Sequence, residues 1–268
     1  MQRLGETFTV SDVMVPLAEI ASVNPSDRYA VDRIVREKKY SVVPASVDSL
    51  HFPYVFWTEH HANSDRAITD RRDTNLSDHI PDSTPLAEAF YLFDSREWYF
   101  AIRANRVSGL ITYWAFNSRE FRVQLYAGLS RVEELSRDLL AGDKCGVDSE
   151  HGLRLSPAVI QKARERFEFV RQEMGGNRFV DELQFHHVHE ALRKHQPWFE
   201  FLQARLAPTI SKADYEREFN FTEFRDAVMH GRTLFPTYRA FKSGTGTVRR
   251  IGELIDHLHA YIAIRKAA

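Results

Sequence analysis

Cysteine is all but missing. Cys145 stands alone in 268 residues, so no internal disulfide can staple the chain, and a reducing cytoplasm is the expected compartment. An excess of charge of either sign is missing too. The 36 Lys and Arg against 37 Asp and Glu leave a net charge of -1, which excludes the broad cationic face of proteins that coat nucleic acid and leaves only local patches. No apolar run nears the ~20 residues that cross a bilayer, and the opening MQRLGETFTVSDVMVP has no signal-peptide apolar core, so no membrane partner is expected. Gly-rich phosphate loops, GxSxG and HExxH are also lacking, which removes the commonest nucleotide hydrolase, serine hydrolase and zinc protease patterns.

What is present has the texture of a globular chain. Hydrophobic residues are 43% and charged residues 27%, enough apolar surface for a core, and the length suits one large domain or two modest ones. The first ~120 residues alternate short apolar runs with short helical patterns, the mark of an α/β module. The runs Ser41–Pro44, Tyr54–Trp57, Trp98–Ile102 and Val107–Thr112 read as strands, the last after a turn at Ala104–Arg106. Helices are expected from Ala30 to Lys38 and from Pro85 to Phe93, with Asp82 and Thr84 as caps of the second. The order loop, helix, two strands and a terminal Thr occurs twice, which predicts an internal duplication of ~60 residues.

This order resembles a tandem pair of CBS (cystathionine-β-synthase) domains over roughly residues 8–120. DVMVPLAEIASVNPSDRYAVDRIVREKKYSVVPA is similar to the first copy and LSDHIPDSTPLAEAFYLFDSREWYFAIRANRVSGLITYWAFN to the second. The resemblance implies an adenine-nucleotide effector in the cleft between copies, with ribose held by Thr58 and Thr112. The family's pattern is Gly, two apolar residues and Thr, then an Asp three residues on. Gly109-Leu110-Ile111-Thr112 fits it, but Ala115 and His61 stand where the two acids belong. The alternative is a folded dimerisation scaffold, with Thr112 capping the following helix.

From about residue 122 apolar spacings of three and four take over. Leu125, Leu129, Val132, Leu135 and Leu139 form one stripe, and Val159, Ala163, Phe167, Val170 and Met174 another, opened by Ser156-Pro157 and closed by Gly175-Gly176-Asn177. Phe185, Val188 and Leu192 mark a third helix. Phe221, Phe224 and Val228 mark a fourth, capped by Asn220 or Thr222, and Val248, Ile251, Ile255, Leu258 and Ile262 mark the last. Residues 142–155 and Lys242–Thr247 are expected to be loops or turns.

Within FNFTEFRDAVMHGRTLF, Arg225-Asp226-Ala227-Val228-Met229-His230 resembles the R-x(4–6)-H motif of the HEPN superfamily. The stretches LYAGLSRVEELSRDLL and LQFHHVHEALRKHQPWFEFL and the final helix fit the same pattern over about residues 122–266. The resemblance implies a metal-independent endoribonuclease acting on RNA, with no cofactor. The residue types suit that chemistry. A histidine exchanges a proton near neutral pH, and an arginine stays charged and grips a phosphate with paired donors. Asp226, four residues before His230, would orient the imidazole. Arg232, Arg249 and Arg250 would meet the RNA backbone. On an ideal helix Arg225 and His230 lie ~140° apart, so they share no face unless the helix stops near Met229. One protomer then makes an incomplete site, and a homodimer that joins two motif helices is expected.

Other clusters draw plainer readings. His186, His187 and His189 are read as surface or satisfied histidines rather than metal ligands, as are His60-His61 and His257 with His259. Trp198, Phe199 and Phe201 are read as core or interface, and Cys145 as unreactive. The expected whole is an α+β chain: a tandem CBS-like module over 1–121 and an all-α HEPN-like bundle over 122–268, acting as a ligand-regulated ribonuclease. The rival is a non-catalytic nucleotide-responsive scaffold or partner-binding protein.

Overall fold

The computed structural model describes residues 8–20, 22–24, 27, 29–30, 33–34, 42–45, 54–59, 68–142, 153–173, 178–206 and 211–267. Among these, the chain up to Phe121 together with Phe235–Phe241 forms a mixed α/β unit, and Arg122–Leu234 with the chain from Lys242 on forms a helical unit.

The mixed unit holds two small sheets. One contains β2 (Val42–Ala45), β3 (Tyr54–Glu59) and β4 (Ile68–Asp73) in that order. The other runs β1 (Val15–Pro16), β7 (Arg106–Thr112), β6 (Trp98–Arg103) and β5 (His79–Pro81). Helix α1 (Leu86–Leu92) links β5 to β6, which pair in parallel, and β6 then turns antiparallel into β7. In the first half Val23 bridges Ala45 in parallel, backbone at 29, 30, 33 and 34 is helical, and β2 turns antiparallel into β3. An outer antiparallel strand completes each sheet, β4 on β3 and β1 on β7. A parallel contact, helical backbone and an antiparallel pair thus follow one another in both halves among the described residues.

Local chemistry explains these elements. The β6–β7 turn places Ala104 at φ 48 and Asn105 at φ 61, the paired left-handed residues of a two-residue hairpin. Val42, Val55, Trp98, Phe100 and Leu110 pack together as one core cluster. Gly109 is required by β1: a Cβ there would lie 2.6 Å from the Val15 carbonyl oxygen and 2.7 Å from Met14 Sδ. Two capping expectations fail. The residue preceding α1 is Pro85, with no side-chain cap, and the Asp82 carboxylate instead accepts from Arg103 Nε at 2.6 Å and Ser108 Oγ at 3.2 Å. A carboxylate this buried needs charged or polar partners more than α1 needs a cap.

A second core in this unit is aromatic. Phe90, Phe93, Phe116, Phe121, Phe235 and Phe241 meet with ring centroids from 4.9 to 6.5 Å apart. Asn117 fixes Phe235 here through both ends of its amide. Its Nδ2 donates to the Phe235 carbonyl at 3.0 Å, and its Oδ1 accepts from the Phe235 N–H at 2.8 Å.

The helical unit comprises α2 (Arg119–Leu140, entered from the mixed unit), α3 (Pro157–Glu173), α4 (Phe185–Lys194), α5 (Gln196–Arg205), α6 (Lys212–Phe219), α7 (Thr222–Met229) and α8 (Tyr238–Ala267, its residues up to Phe241 counted with the mixed unit). The predicted stripe on α2, Leu125, Leu129, Val132, Leu135 and Leu139, is buried; on α8 Val248, Ile251, Ile255 and Leu258 are buried and Ile262 is half-buried; on α3 Ala163 and Phe167 are buried, Val159 and Val170 are half-buried, and Met174 lies outside the described residues. The expected turn at Lys242–Thr247 is wrong, because α8 runs through it. Thr245 is buried one turn before Val248, and its hydroxyl donates to the Lys242 carbonyl at 2.8 Å. Helical glycines cost about 1 kcal/mol each, less than this buried stripe contributes. Most of the expected loop at 142–155, the closing Gly175–Asn177, His60-His61 and Cys145 lie outside the described residues. No described helix is long and apolar enough to cross a membrane.

Asn117→Ala removes two buried hydrogen bonds to the Phe235 backbone. It is expected to lower stability by roughly 2–4 kcal/mol, read as a lower midpoint in urea or thermal unfolding.

Candidate functional site

Helix α7 is short and ends at Met229. His230 leaves helical geometry at φ -91, ψ 9, and Gly231 follows at φ +64. The Gly231 N–H donates to the Val228 carbonyl at 3.3 Å and the Arg232 N–H to the Ala227 carbonyl at 3.0 Å, the paired bonds of a Schellman stop. The left-handed residue explains why glycine follows the motif histidine. Since the helix stops at Met229, the ~140° offset of an ideal helix does not govern His230.

The three motif residues have different surroundings. Arg225 is only 29% exposed. Its guanidinium carbon lies 5.2 Å from the centre of the Phe185 ring on α4. Its Nη2 is 3.7 Å from Glu133 Oε2 on α2, and its Nη1 is 3.9 Å from Asp226 Oδ1. These contacts exceed hydrogen-bond length, so charge and the ring hold the group while its N–H donors bond to no described residue. Asp226 and His230 are exposed, and no hydrogen bond joins the carboxylate to the imidazole. The expected orienting role of Asp226 is therefore absent from this arrangement, and the carboxylate balances Arg225 instead.

Glu133 is itself fixed. Its Oε1 accepts from Arg137 Nη2 at one helical turn's spacing, and Arg137 also donates to the carbonyls of Val180 and Leu183. Arg122 Nη1 lies 3.6 Å from where a Cβ on Gly231 would be, so a further guanidinium borders the Schellman stop. Sequence reading missed Glu133, Arg137, Arg122 and Phe185. The first two were legible as an i, i+4 pair on α2, but nothing local ties them to residue 225.

The remaining expected residues are scattered. Arg232 is exposed and makes no side-chain ion pair among the described residues. Arg249 is exposed on α8, and the neighbouring Arg250 is engaged by Glu218 at 2.5 Å. In the mixed unit, Thr58 sits in β3 opposite Thr69, and Thr112 ends β7 opposite Trp98. Thr112 precedes the turn Tyr113–Asn117 but makes no capping bond through its side chain, so the capping alternative fails. Trp198 and Phe199 are buried, as core residues should be.

Among the described residues no group of three or more His, Cys, Asp or Glu side chains is placed to hold an ion. His186 and His187 lie with rings 3.8 Å apart. Burial, reinforced by His186, pushes the pKa of His187 down. His189 is 8% exposed, stacks on Tyr215 at 5.3 Å and has Glu216 Oε2 3.5 Å from its Nε2. Burial lowers its pKa against the pull of Glu216, so the pair is not an ion pair near neutrality.

Comparison with protein families, curated proteins and solved structures gave no match to this chain.

His189 yields a signed pH prediction. Its folded pKa is below the unfolded value, so both states are neutral, and stability is full, above ~6.5. As pH falls below that, the unfolded chain binds the proton first and stability drops until the folded pKa is passed. Unfolding free energies measured from pH 7.5 to 5 should therefore fall more steeply for the wild type than for His189→Gln.

Proposed function

We propose that the helical unit is a HEPN-like, metal-independent endoribonuclease site in which Arg225 holds the scissile phosphate and His230 moves the protons. The observation that carries this reading is the state of Arg225. A partly buried guanidinium is held by a phenyl ring and two carboxylates, yet its side-chain N–H donors make no hydrogen bond to a described residue. Arg137 and Arg178, by contrast, engage two carbonyls and two carboxylates respectively.

The chemistry follows from these groups. His230, exposed at the helix end, accepts the proton of a ribose 2′-hydroxyl. The 2′-oxygen bonds to phosphorus, the bond to the 5′-oxygen breaks, and that oxygen takes a proton. The products are a 2′,3′-cyclic phosphate and a 5′-hydroxyl. Arg225 stabilises the charge that builds on the phosphoryl oxygens. One imidazole cannot serve both proton transfers at once, so a second copy of the motif in a homodimer supplies the other. Exposed Val123, Tyr126 and Met229 give that assembly apolar surface. RNA is the partner in this reading, with Arg232 and Arg249 along its backbone.

The mixed unit is, in the same proposal, a degenerate tandem CBS-like module that takes an adenine-nucleotide effector near Thr58 and Thr112. The twice-occurring order of parallel contact, helical backbone and antiparallel strand pair supports it. Ala115 weakens it, and Gly109 already has a packing role against β1.

A second reading is a non-catalytic scaffold, favoured by the pairing of Arg225 with Glu133. Single-stranded RNA incubated with the chelated protein separates the two. Wild type should cleave it, and His230→Ala should slow cleavage by about 10²–10⁴-fold. Equal cleavage by both proteins, or none by either, rejects the enzyme reading.

A further inference from the structure

Glu133 presents one carboxylate to two guanidiniums of unequal freedom. Oε1 is bonded to Arg137, and Arg137 is anchored to the carbonyls of Val180 and Leu183, just ahead of α4. That anchoring stops Glu133 from swinging toward Arg225. Oε2 therefore stays 3.7 Å from Arg225 Nη2, close enough for charge to act and too far for a hydrogen bond. The Glu133 side chain is only 20% exposed, so water screens the attraction incompletely.

We infer that Glu133 is a positioning residue and a built-in competitor: an internal anion that keeps Arg225 aimed at rest and that an incoming phosphate must outbid for the same guanidinium. The inference rests on the ribonuclease reading above and adds its regulation. An aimed arginine saves the substrate the work of ordering it. The resident carboxylate also lowers affinity for any lone phosphate, so a weakly held anion does not occupy the site. Phe185 keeps the guanidinium in place when Glu133 gives way, because its contact with the ring does not depend on the carboxylate.

The test measures binding of a short, non-cleavable 2′-O-methyl single-stranded RNA to the full chain at several salt concentrations. Four proteins are compared: wild type, Glu133→Gln, Arg225→Gln and the double variant. Glu133→Gln keeps the side chain's size and removes its charge. It should bind roughly threefold to tenfold more tightly than wild type, with a steeper salt dependence. That gain should vanish in the Arg225→Gln background, where there is no guanidinium to release. A purely structural Glu133 would not produce a gain that depends on Arg225. Unchanged or weaker binding by Glu133→Gln, or a gain that persists without Arg225, overturns the inference. The ribonuclease reading survives that outcome if Arg225→Gln alone still weakens binding. RNA that ignores the wild-type chain removes both. Should Glu133→Gln fail to fold, Glu133→Asp draws the carboxylate back from Arg225 and is held to the same outcomes.

Discussion

Phe185 and Glu133 hold the Arg225 guanidinium from different helices, one through its ring face and the other through charge at 3.7 Å. Everything proposed for the helical unit depends on that hold. An arginine at the surface would lose conformational freedom on binding a phosphate, and one fully hydrogen-bonded inside would have nothing to offer. Arg225 lies between these limits. The hold passes through α2, where Glu133 is locked by Arg137, to the segment before α4 that supplies the carbonyls of Val180 and Leu183. Five residues on, the Schellman stop turns the chain sharply, so His230 stands at an exposed helix end rather than on a helix face.

Periodicity made much of the helical unit legible. The stripe from Leu125 to Leu139 corresponds to α2, and the one from Val248 to Ile262 to most of α8, because both bury one continuous face. The misreading at Lys242–Thr247 has a physical source. Two glycines and a serine suggest a turn locally, but the buried face continues on either side and keeps the backbone helical. The apolar spacings mark no separate helix over α5 or α6, although the capping box of Ser211 with Asp214 is a local start signal for α6. In the mixed unit, β6 and β7 were legible as apolar runs around a turn. The outer strands were not, since β1 has two exposed residues and β4 reads Ile-Thr-Asp-Arg-Arg-Asp.

The candidate site was legible only in part. Arg225 and His230 stand out as a spaced pair in one segment. The partners of Arg225 come from α2 and α4, some 90 and 40 residues away in sequence, so no local pattern joins them to it. The same limit applied to Asp82 and Gly109. The first resembles a cap and the second a ligand-loop glycine. Each instead answers to a neighbour, Arg103 or the β1 backbone, that only the fold brings near.

The central claim is a chemical one: phosphate held by Arg225, attacked by the neighbouring 2′-oxygen, with His230 handling protons. End-group analysis of the products by mass spectrometry, after digestion of single-stranded RNA by the chelated protein, tests it most directly. The account predicts fragments ending in 2′,3′-cyclic phosphate with 5′-hydroxyl partners, and no break next to a 2′-deoxy position. Fragments ending in 3′-hydroxyl and 5′-phosphate, or breaks that ignore 2′-deoxy substitution, would contradict it.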